Sequence, residues 1–440
     1  MKRSIFMCPI EIAGTMLDMH KAFDELGYKS KFLAFYDYPF GNPDDYKARD
    51  LNFYFLCVKN FRRNCDNGRM LFARLWQIPE AFAVLWIFVK AILNYDTFVY
   101  MYTMSMFGTT HYLKKAQELE FAILKLFRKR IIFWCAGSDT RPEYCSGSYP
   151  ADTPDNLYKD TVEKRKRIRM VEKYGIMVDN PPSSHLHRKK YINSLAIGQS
   201  AYSKSYKENK VQKTDTDRPV IVHAPSRLDA KGTPVIREAI GNIKSKGYDI
   251  EYIELHSVSN EDVLRTLQRA DIAIDQMYSD TPSAKFATEA SSYAVPVIVG
   301  SHIADKLKKG YGFSMPPTVV CKPEELEQKL EYLIVHPEER KAIGEKERDF
   351  MTSEWNPQAV AKRFIRVVDG DIPNSWIVDP YREGSVWGWG GTKEYVVQRV
   401  VSVIERYGMR GLCLSPRQKL YKEYLELYRN YTSGSKLGEG

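Results

Sequence analysis

Two stretches of this 440-residue chain decide its fold: His223-Ala-Pro-Ser-Arg-Leu-Asp-Ala-Lys-Gly-Thr233, and Asp271 to Val299, which read DIAIDQMYSDTPSAKFATEASSYAVPVIV. The first follows a short apolar segment and carries Arg227 and Lys231. The second runs from an apolar segment through a polar turn into a helical pattern that carries Glu289. In both, a strand pattern passes through a turn into a helix pattern, which is the repeating unit of a parallel α/β sheet.

The same alternation continues on both sides of these stretches. In the second half we predict strands at Val220–His223, Ile250–Leu255, Ile272–Asp275 and Pro296–Val299, with helices at Thr233–Ser245, Asn260–Arg269 and Ser283–Tyr293. In the first half we predict strands at Ile5–Pro9, Lys31–Tyr36, Thr97–Tyr102, Arg130–Cys135 and Met177–Asn180, with a glycine turn and a helix after the first. This order predicts an α/β protein with two doubly wound parallel sheets.

A polar, charged segment separates the two halves. Lys204–Asp217 contains few apolar residues, which is typical of an interdomain linker. We therefore predict an N-terminal domain over residues 1–205 and a C-terminal domain over residues 214–400.

The overall composition limits the kinds of binding partner and the cellular compartment that we expect for this protein. A formal charge of +10 and a pI near 9.0 favour an anionic partner, which leaves open a nucleotide, a lipid headgroup surface or nucleic acid. The seven cysteines are scattered and have no CxxC spacing, so neither a disulfide framework nor a zinc site is indicated. The apolar run at the N-terminus is too short for a signal peptide, and we predict a cytoplasmic protein.

One apolar run requires a separate interpretation. Ala81–Leu93 has thirteen residues with Lys90 inside, whereas a membrane-spanning helix needs about 20 apolar residues. We predict that it does not cross a bilayer. A buried helix and a helix lying against a membrane interface both remain open, and the buried helix is favoured.

The densest basic segments are Lys164–Arg169 and His187–Lys190. A solvated helix surface is the simplest interpretation of the first. The functional interpretation is contact with an anionic membrane surface that carries a lipid-linked acceptor. No recognised nucleic-acid motif accompanies the charge, so nucleic acid is not an expected partner.

The two deciding stretches also contain groups suited to binding phosphate. Arg227 and Lys231 are cations between a strand and a helix, where they can stabilise negative charge that develops on a departing diphosphate. Thr281-Pro282 predicts a helix start whose first-turn amides can bind an anion. Glu289 then lies in the second turn and can accept hydrogen bonds from a ribose diol. His223 is either a structural or a catalytic histidine.

His223–Thr233 and Asp271–Val299 resemble the donor domain of GT-B glycosyltransferases of the family 4, or group 1, kind, through H-x-P-S, K-G-T and Asp275-Gln276. The resemblance implies two Rossmann-like domains facing across a cleft, with C-terminal helices at about 408–430 packing back on the N-terminal domain. It also implies metal-independent transfer, with retention of configuration and no cofactor.

The resemblance extends to individual residues. It implies catalytic roles for Arg227 and Lys231 at the diphosphate, and for Asp139 and Arg141 near the acceptor or the reacting centre. The donor contacts that it implies come from Gly14, His223, Ser226, Gly232, Thr281, Ser283 and Glu289. Thr281 stands where the family usually has a first glutamate, which leaves the donor sugar open.

The resemblance implies a retaining glycosyltransferase of bacterial surface polysaccharide or glycoconjugate synthesis. Its donor would be a UDP- or GDP-linked sugar, its acceptor a glycan or a lipid-linked glycan, and its location the cytoplasm or the inner membrane face. Two alternatives stay open: a nucleotide-sugar epimerase of the same fold, and an inactive sugar-nucleotide-binding partner protein.

Overall fold

The computed structural model describes residues 2–36, 49–147, 153–200 and 218–434. The chain divides into two compact units. Unit 1 comprises Met1–Asp139, Arg167–Val178 and Ala361–Ile372, and unit 2 comprises Thr140–Lys166, Asp179–Val360 and Pro373–Gly440. The predicted linker Lys204–Asp217 lies outside the described residues, and the predicted domain limits stay a prediction.

Short strands alternate with helices along most of the described chain. The strands are β1 Ile5–Cys8, β2 Ser30–Phe32, β3 Thr97–Met101, β4 Arg130–Trp134, β5 Ile176–Asp179, β6 Tyr191–Asn193, β7 Val220–His223, β8 Glu251–Glu254, β9 Ile272–Ile274, β10 Val297–Gly300, β11 Val319–Cys321 and β12 Ile377–Val378. The helices of the first half are α1 Thr15–Glu25, α2 Asn52–Asp66, α3 Met70–Asn94, α4 Gln117–Leu126, α5 Pro154–Tyr174 and α6 Ser194–Ile197. Those of the second half are α7 Thr233–Ser245, α8 Asn260–Leu267, α9 Lys285–Ser292, α10 Ala304–Lys309, α11 Leu326–Val335, α12 Pro337–Ser353, α13 Pro357–Asp369, α14 Lys393–Tyr407 and α15 Lys419–Thr432.

In unit 1 the strands form a parallel sheet in the order β5-β4-β3-β1-β2. The chain runs from β1 to β2 on one side and then crosses to β3 on the other side of β1. This is one of the two common doubly wound orders, and its topological switch point lies between β1 and β3.

Unit 2 repeats that order with its own strands. Its parallel sheet runs β11-β10-β9-β7-β8, so β7 has β8 on one side and β9 on the other. The switch point therefore lies between β7 and β9. The predicted fold class, α/β with two parallel-sheet domains, is confirmed.

Helices cover both faces of the unit 2 sheet, and successive side chains of β7 pack against opposite faces. Ile221 points into one buried cluster with Ile236 of α7 and Leu330 of α11. Val222 points into the other cluster, which contains Ala287 and Ala290 of α9. The buried members of both clusters are almost inaccessible to solvent. Because these strands are buried on both faces, they are continuous apolar runs in the sequence.

A third cluster in unit 2 is built around α14 and α15. Its buried members include Val400 and Tyr424, and it also contains Tyr144. The Tyr144 hydroxyl donates to the carbonyl oxygen of Leu412 at 2.9 Å, and Tyr144 packs edge-on against Tyr424 with ring centroids 5.6 Å apart. Residues about 270 positions apart in sequence thus share one core.

Two residues of the predicted basic surface are buried. Lys164 forms an ion pair with Glu143 at 2.6 Å and donates to the carbonyl oxygen of Arg141 at 2.6 Å. His187 contacts Asp179 at 2.9 Å, and both side chains are fully buried. Predicting these two residues as part of an exposed membrane-binding surface is therefore wrong, because each is buried and bonded to a buried carboxylate.

Helix α3 is longer than the apolar run predicted from the sequence. It spans 25 residues, and Pro79 lies within it. Pro79 and Glu80 interrupt the apolar pattern of the sequence, and the helix continues through both residues. Among the described helices, α3 is the one long and apolar enough to cross a membrane by length and composition, although 44% of its most apolar window is buried in the protein.

A buried carboxylate in unit 2 makes stability depend on pH. Glu347 of α12 accepts hydrogen bonds from Ser291 Oγ at 2.6 Å and from the Val297 amide at 3.1 Å. Burial raises the pKa of Glu347 from 4.5 to about 8, although these hydrogen bonds oppose the rise. Between these values the folded state keeps a proton that the unfolded state has lost, so stability falls as pH rises.

We predict that the stability difference between the wild type and Glu347→Gln declines from pH 5 to pH 8, by at most about 1.4 kcal/mol per pH unit. Urea unfolding at several pH values measures it. Glu345→Gln, an exposed position on the same helix, is the matched control and should show a constant difference. A constant difference for Glu347→Gln would contradict the prediction.

Candidate functional site at the switch point of unit 2

The carboxyl ends of β7 and β9 bring two loops together in unit 2. The first loop, residues 224–232, joins β7 to α7, and the second, residues 275–284, joins β9 to α9. Because α7 leads towards β8 and α9 leads towards β10, the two connections diverge at this edge of the sheet. Ligands of doubly wound sheets bind in the crevice that such divergence opens.

Lys231 in the first loop is bonded to Asp275 in the second. The Lys231 Nζ atom lies 3.3 Å from Asp275 Oδ1, and the lysine side chain keeps 13% exposure whereas the aspartate keeps 1%. The Met277 amide also donates to the Lys231 carbonyl oxygen at 3.0 Å. Lys231 is thus held at the crevice with its ammonium partly accessible.

Gly232 is required by the close approach of the two loops. Its φ of 70° lies in the left-handed region, and a Cβ built there would lie 2.6 Å from Met277 Cβ. Backbone strain and overlap would both follow from a larger residue.

Arg227 and Ser226 lie on the outer part of the first loop. Both residues are exposed, and the Arg227 carbonyl oxygen accepts from the Lys231 amide at 3.0 Å. This turn sets the guanidinium and the ammonium on one short loop. The two cations predicted from the sequence therefore lie in the same loop, which follows the carboxyl end of β7.

His223 is part of the scaffold below this loop. It is fully buried, its Nδ1 donates to the Ile274 carbonyl oxygen at 2.8 Å, and its Nε2 lies 2.9 Å from Thr233 Oγ1. Burial lowers the pKa of His223 to about 4, so the ring is neutral and Nε2 accepts the threonine proton. Since both ring nitrogens are bonded inside the protein, the structural interpretation of this histidine is favoured.

The second loop delays the start of α9. Thr281 was predicted to cap a helix beginning at Pro282, but the helix begins at Lys285. The Thr281 hydroxyl instead donates to the Ser283 carbonyl oxygen at 3.2 Å, and the buried Ser283 hydroxyl lies 3.3 Å from Thr288 Oγ1. The predicted cap is wrong, because local hydroxyl-to-backbone bonds hold these residues in a turn.

Glu289 lies in the second turn of α9, as predicted, and is almost fully buried. Its Oε1 accepts a hydrogen bond from Asn260 Nδ2 at 3.2 Å. Asn260 begins α8, which follows β8, so the pair lies towards the carboxyl edge of the sheet. Asn260 was missed in the sequence, where only its place after the capping residue Ser259 marked it.

Arg141 is paired with Asp280 in the second loop. Both side chains are buried, and the guanidinium also contacts Ser183 Oγ at 3.4 Å. The Arg141 guanidinium lies 5.9 Å from the ring centroid of Trp389. A paired and desolvated arginine of this kind anchors the loop.

Trp389 is a further residue that the sequence did not single out as part of a site. Its indole donates to Gln276 Oε1 at 3.1 Å, and Gln276 Nε2 in turn donates to Ser279 Oγ at 2.8 Å. Trp389 lies in the glycine-rich segment 384–391, which follows the last strand, β12, and precedes α14. The combination of tryptophans and glycines in this segment was the only sequence signal that could have marked Trp389 as a site residue.

In unit 1, the loop that joins β1 to α1 corresponds to the loop between β7 and α7. A carboxylate of the protein binds the first amides of α1 there. Gly14, with φ 75°, precedes α1, and the Glu11 side chain accepts from the Met16 amide at 3.3 Å and the Leu17 amide at 2.9 Å. Burial raises the pKa of Glu11 to about 7, partly opposed by these bonds. The anion position at the start of α1 is therefore filled by the protein itself, and Glu11 is a residue that the sequence analysis missed.

Asp139 closes a turn at the end of the first segment of unit 1. Its Oδ1 accepts from the Ala136 amide at 3.0 Å, which orders the loop after β4. Gly14 and Asp139 thus belong to unit 1, whereas the other predicted site residues belong to unit 2. Within unit 2 the crevice loops bring together Ser226, Arg227, Lys231, Gly232, Thr281 and Ser283.

Comparison with known proteins shows a family similarity in the C-terminal part. A family model described as glycosyl transferase-like matches residues 232–366. The match begins at the glycine after Lys231 and includes α9 with Glu289. Residues 232–366 are therefore similar to a glycosyl transferase-like family, in agreement with the sequence resemblance. Among curated proteins, none matches the chain.

Solved structures with a similar arrangement of elements are distant in sequence. HepE of Anabaena, solved with UDP, is 9% identical, with 84% of this chain and 100% of that chain covered and a TM-score of 0.45. Sucrose-phosphate synthase of Thermosynechococcus elongatus is 11% identical, with 84% and 99% covered and a TM-score of 0.47. The glycosyltransferase SnogD of Streptomyces nogalater is 12% identical, with 83% and 100% covered and a TM-score of 0.40.

We predict that Gly232→Ala lowers the free energy of unfolding by about 2 to 4 kcal/mol, because the new methyl group meets Met277 and φ is positive. Chemical denaturation measures the loss. Gly241→Ala, on the exposed side of α7 with open space around it, is the control and should raise stability by up to about 1 kcal/mol. Equal effects at the two positions would argue against close packing of the loops.

Proposed function

We propose that this chain is a glycosyltransferase that moves a sugar from a nucleotide diphosphate donor to a glycan or a lipid-linked acceptor. The observation that carries the proposal is the partly accessible Lys231 ammonium at the switch point, beside Arg227 on the same loop. The glycosyl transferase-like match over residues 232–366 supports the same class of reaction.

Lys231 and Arg227 are assigned to the leaving group. As the bond between the sugar carbon and the phosphate oxygen breaks, negative charge builds on the diphosphate, and fixed cations lower the energy of that state. The ammonium has three N–H donors, and its contact with Asp275 uses one of them. Asp275 is a positioning residue, because it holds the ammonium in place and occupies only one of its three N–H donors.

Glu289 is assigned to the nucleoside end of the donor. A carboxylate can accept both hydrogen bonds of a ribose diol, and the Asn260 amide orients the Glu289 carboxylate from the side. Retention of configuration, independence of metal, and a role in surface polysaccharide synthesis extend the proposal through the family resemblance. So do the UDP- or GDP-linked donor and the cytoplasmic location.

We expect Lys231→Met to lower kcat by at least about 100-fold, because one charge-stabilising donor is removed while the length of the side chain is kept. The release of nucleotide from a panel of UDP- and GDP-sugars, with and without glycan acceptors, measures the rate. Lys244→Met, an exposed lysine of α7, is the matched control and should keep full activity. Full activity in Lys231→Met would remove the basis of the proposal.

We expect Glu289→Gln and Arg227→Gln to weaken donor binding by about tenfold each, since each removes a charge-assisted hydrogen bond. Calorimetric titration with the nucleoside diphosphate gives the affinity, and Arg237→Gln on α7 is the control for a surface arginine. NMR of the donor sugar incubated without acceptor separates transfer from epimerisation. A changed free nucleotide sugar would support the epimerase instead.

A further inference from the structure

Helix α3 exposes a continuous apolar stripe along its whole length. Seven large side chains are between 45% and 76% exposed: Leu71, Leu75, Ile78, Phe82, Trp86, Val89 and Leu93. Their spacing of three or four residues keeps them within a sector of about 80° on the helix, over a length of about 33 Å. The surfaces of soluble monomeric proteins rarely expose a large continuous apolar patch that has no binding partner.

The opposite face of α3 is buried in unit 1. Ala73, Val84, Ile87 and Ala91 are among its buried residues, and Phe88 packs edge-on against Phe107 with ring centroids 4.9 Å apart. A helix fixed in this way cannot leave the core to cross a bilayer without exposing that core. The stripe is therefore available for contact along the helix side, parallel to a surface.

Basic residues border the stripe on both sides. Arg74 and Lys90 are exposed and lie about 40° beyond opposite edges of the apolar sector, by the 100° step of an α-helix. Lys90 Nζ lies 5.6 Å from the ring centroid of Trp86 and 3.9 Å from Asp50 Oδ1, so its stem covers the stripe while its ammonium lies at the edge beside a partly exposed carboxylate. The single acidic residue of α3, Glu80, is buried on the far side.

The hairpin between α2 and α3 adds further positive charge. Residues 59–74 contain five basic side chains, Lys59, Arg62, Arg63, Arg69 and Arg74, against the single acidic residue Asp66. All five basic residues are exposed. Near its start, α2 also exposes Phe53 and Leu56, both about half accessible. The α2–α3 face, defined as the stripe with these flanking cations, thus combines apolar contact with a positive border.

We propose that the α2–α3 face docks unit 1 on an anionic lipid bilayer, with α3 lying in the headgroup plane. Large apolar residues facing the acyl boundary, an interfacial tryptophan and bordering cations are the features by which interfacial helices bind lipid. Each basic side chain close to anionic headgroups adds to the affinity. A protein partner would match the apolar stripe, but the cations on both borders fit a plane of phosphates. The buried Lys164 and His187 cannot serve this purpose.

Co-sedimentation of the full chain with vesicles tests the proposal, using phosphatidylcholine alone and with about one third phosphatidylglycerol. We expect binding to the anionic vesicles that falls as salt is raised. Phe82→Ser with Trp86→Ser should lower the affinity by at least about tenfold. Arg62→Gln with Arg63→Gln should lower it by about tenfold on anionic vesicles.

The matched control is Leu126→Ser with Phe127→Ser, an exposed apolar pair at the end of α4 in the same unit. Its binding should equal that of the wild type. Quenching of tryptophan fluorescence by brominated lipid gives a second readout, and it should diminish in Trp86→Phe, which keeps the apolar surface. Lack of wild-type binding, or an equal loss in the control pair, would overturn the proposal. A dimer that Phe82→Ser with Trp86→Ser dissociates, without vesicle binding, would assign the face to a second copy.

Discussion

The order of strands around β7 is the constraint on which the candidate site depends. With β8 on one side and β9 on the other, the helices that follow β7 and β9 must leave the sheet in different directions. The loops before those helices are left side by side at the carboxyl edge. Lys231 and Asp275 lie in these two loops, and their 3.3 Å contact is a direct consequence of parallel pairing between the strands.

Burial separates the charged residues of unit 2 into two kinds. Arg141 and Lys164 are almost fully enclosed and bonded to Asp280 and Glu143, so their charges are used within the fold. Removing a partner from such a pair leaves a buried charge, which is why pairs of this kind maintain local structure. Lys231 also has a carboxylate partner but retains exposure, and Arg227 lies at the surface. The cations that can meet a ligand are those that the fold encloses least.

Helix α3 shows how one apolar segment can satisfy two environments. A helix that is apolar on all sides is normally enclosed, yet here one side is buried in unit 1 and the other carries the exposed stripe. The sequence left a buried helix and an interfacial helix as alternatives. In the structure one face of α3 is buried and the other is exposed, because the protein covers only part of the helix.

The sequence by itself determined the alternation of strands and helices, since strands buried on both faces are short apolar runs and helix ends carry their own signals. Strands β1, β3, β7 and β9 fall within a residue or so of their predicted limits, and α7 matches its prediction from Thr233 to Ser245. The cation pair Arg227 and Lys231 was also evident, because its position between a strand and a helix is local information. Strands β6, β11 and β12, each of two or three residues, gave too little pattern.

Only the tertiary structure decided which side chains meet. Arg141 pairs with Asp280, Glu289 with Asn260, and Trp389 with Gln276, across separations of 139, 29 and 113 residues. Local patterns cannot report such pairs, because they arise from chain crossings and from the need to satisfy buried polar groups. The start of α9 at Lys285 and the filling of the α1 terminus by Glu11 were likewise decided by competing hydrogen bonds in the folded chain.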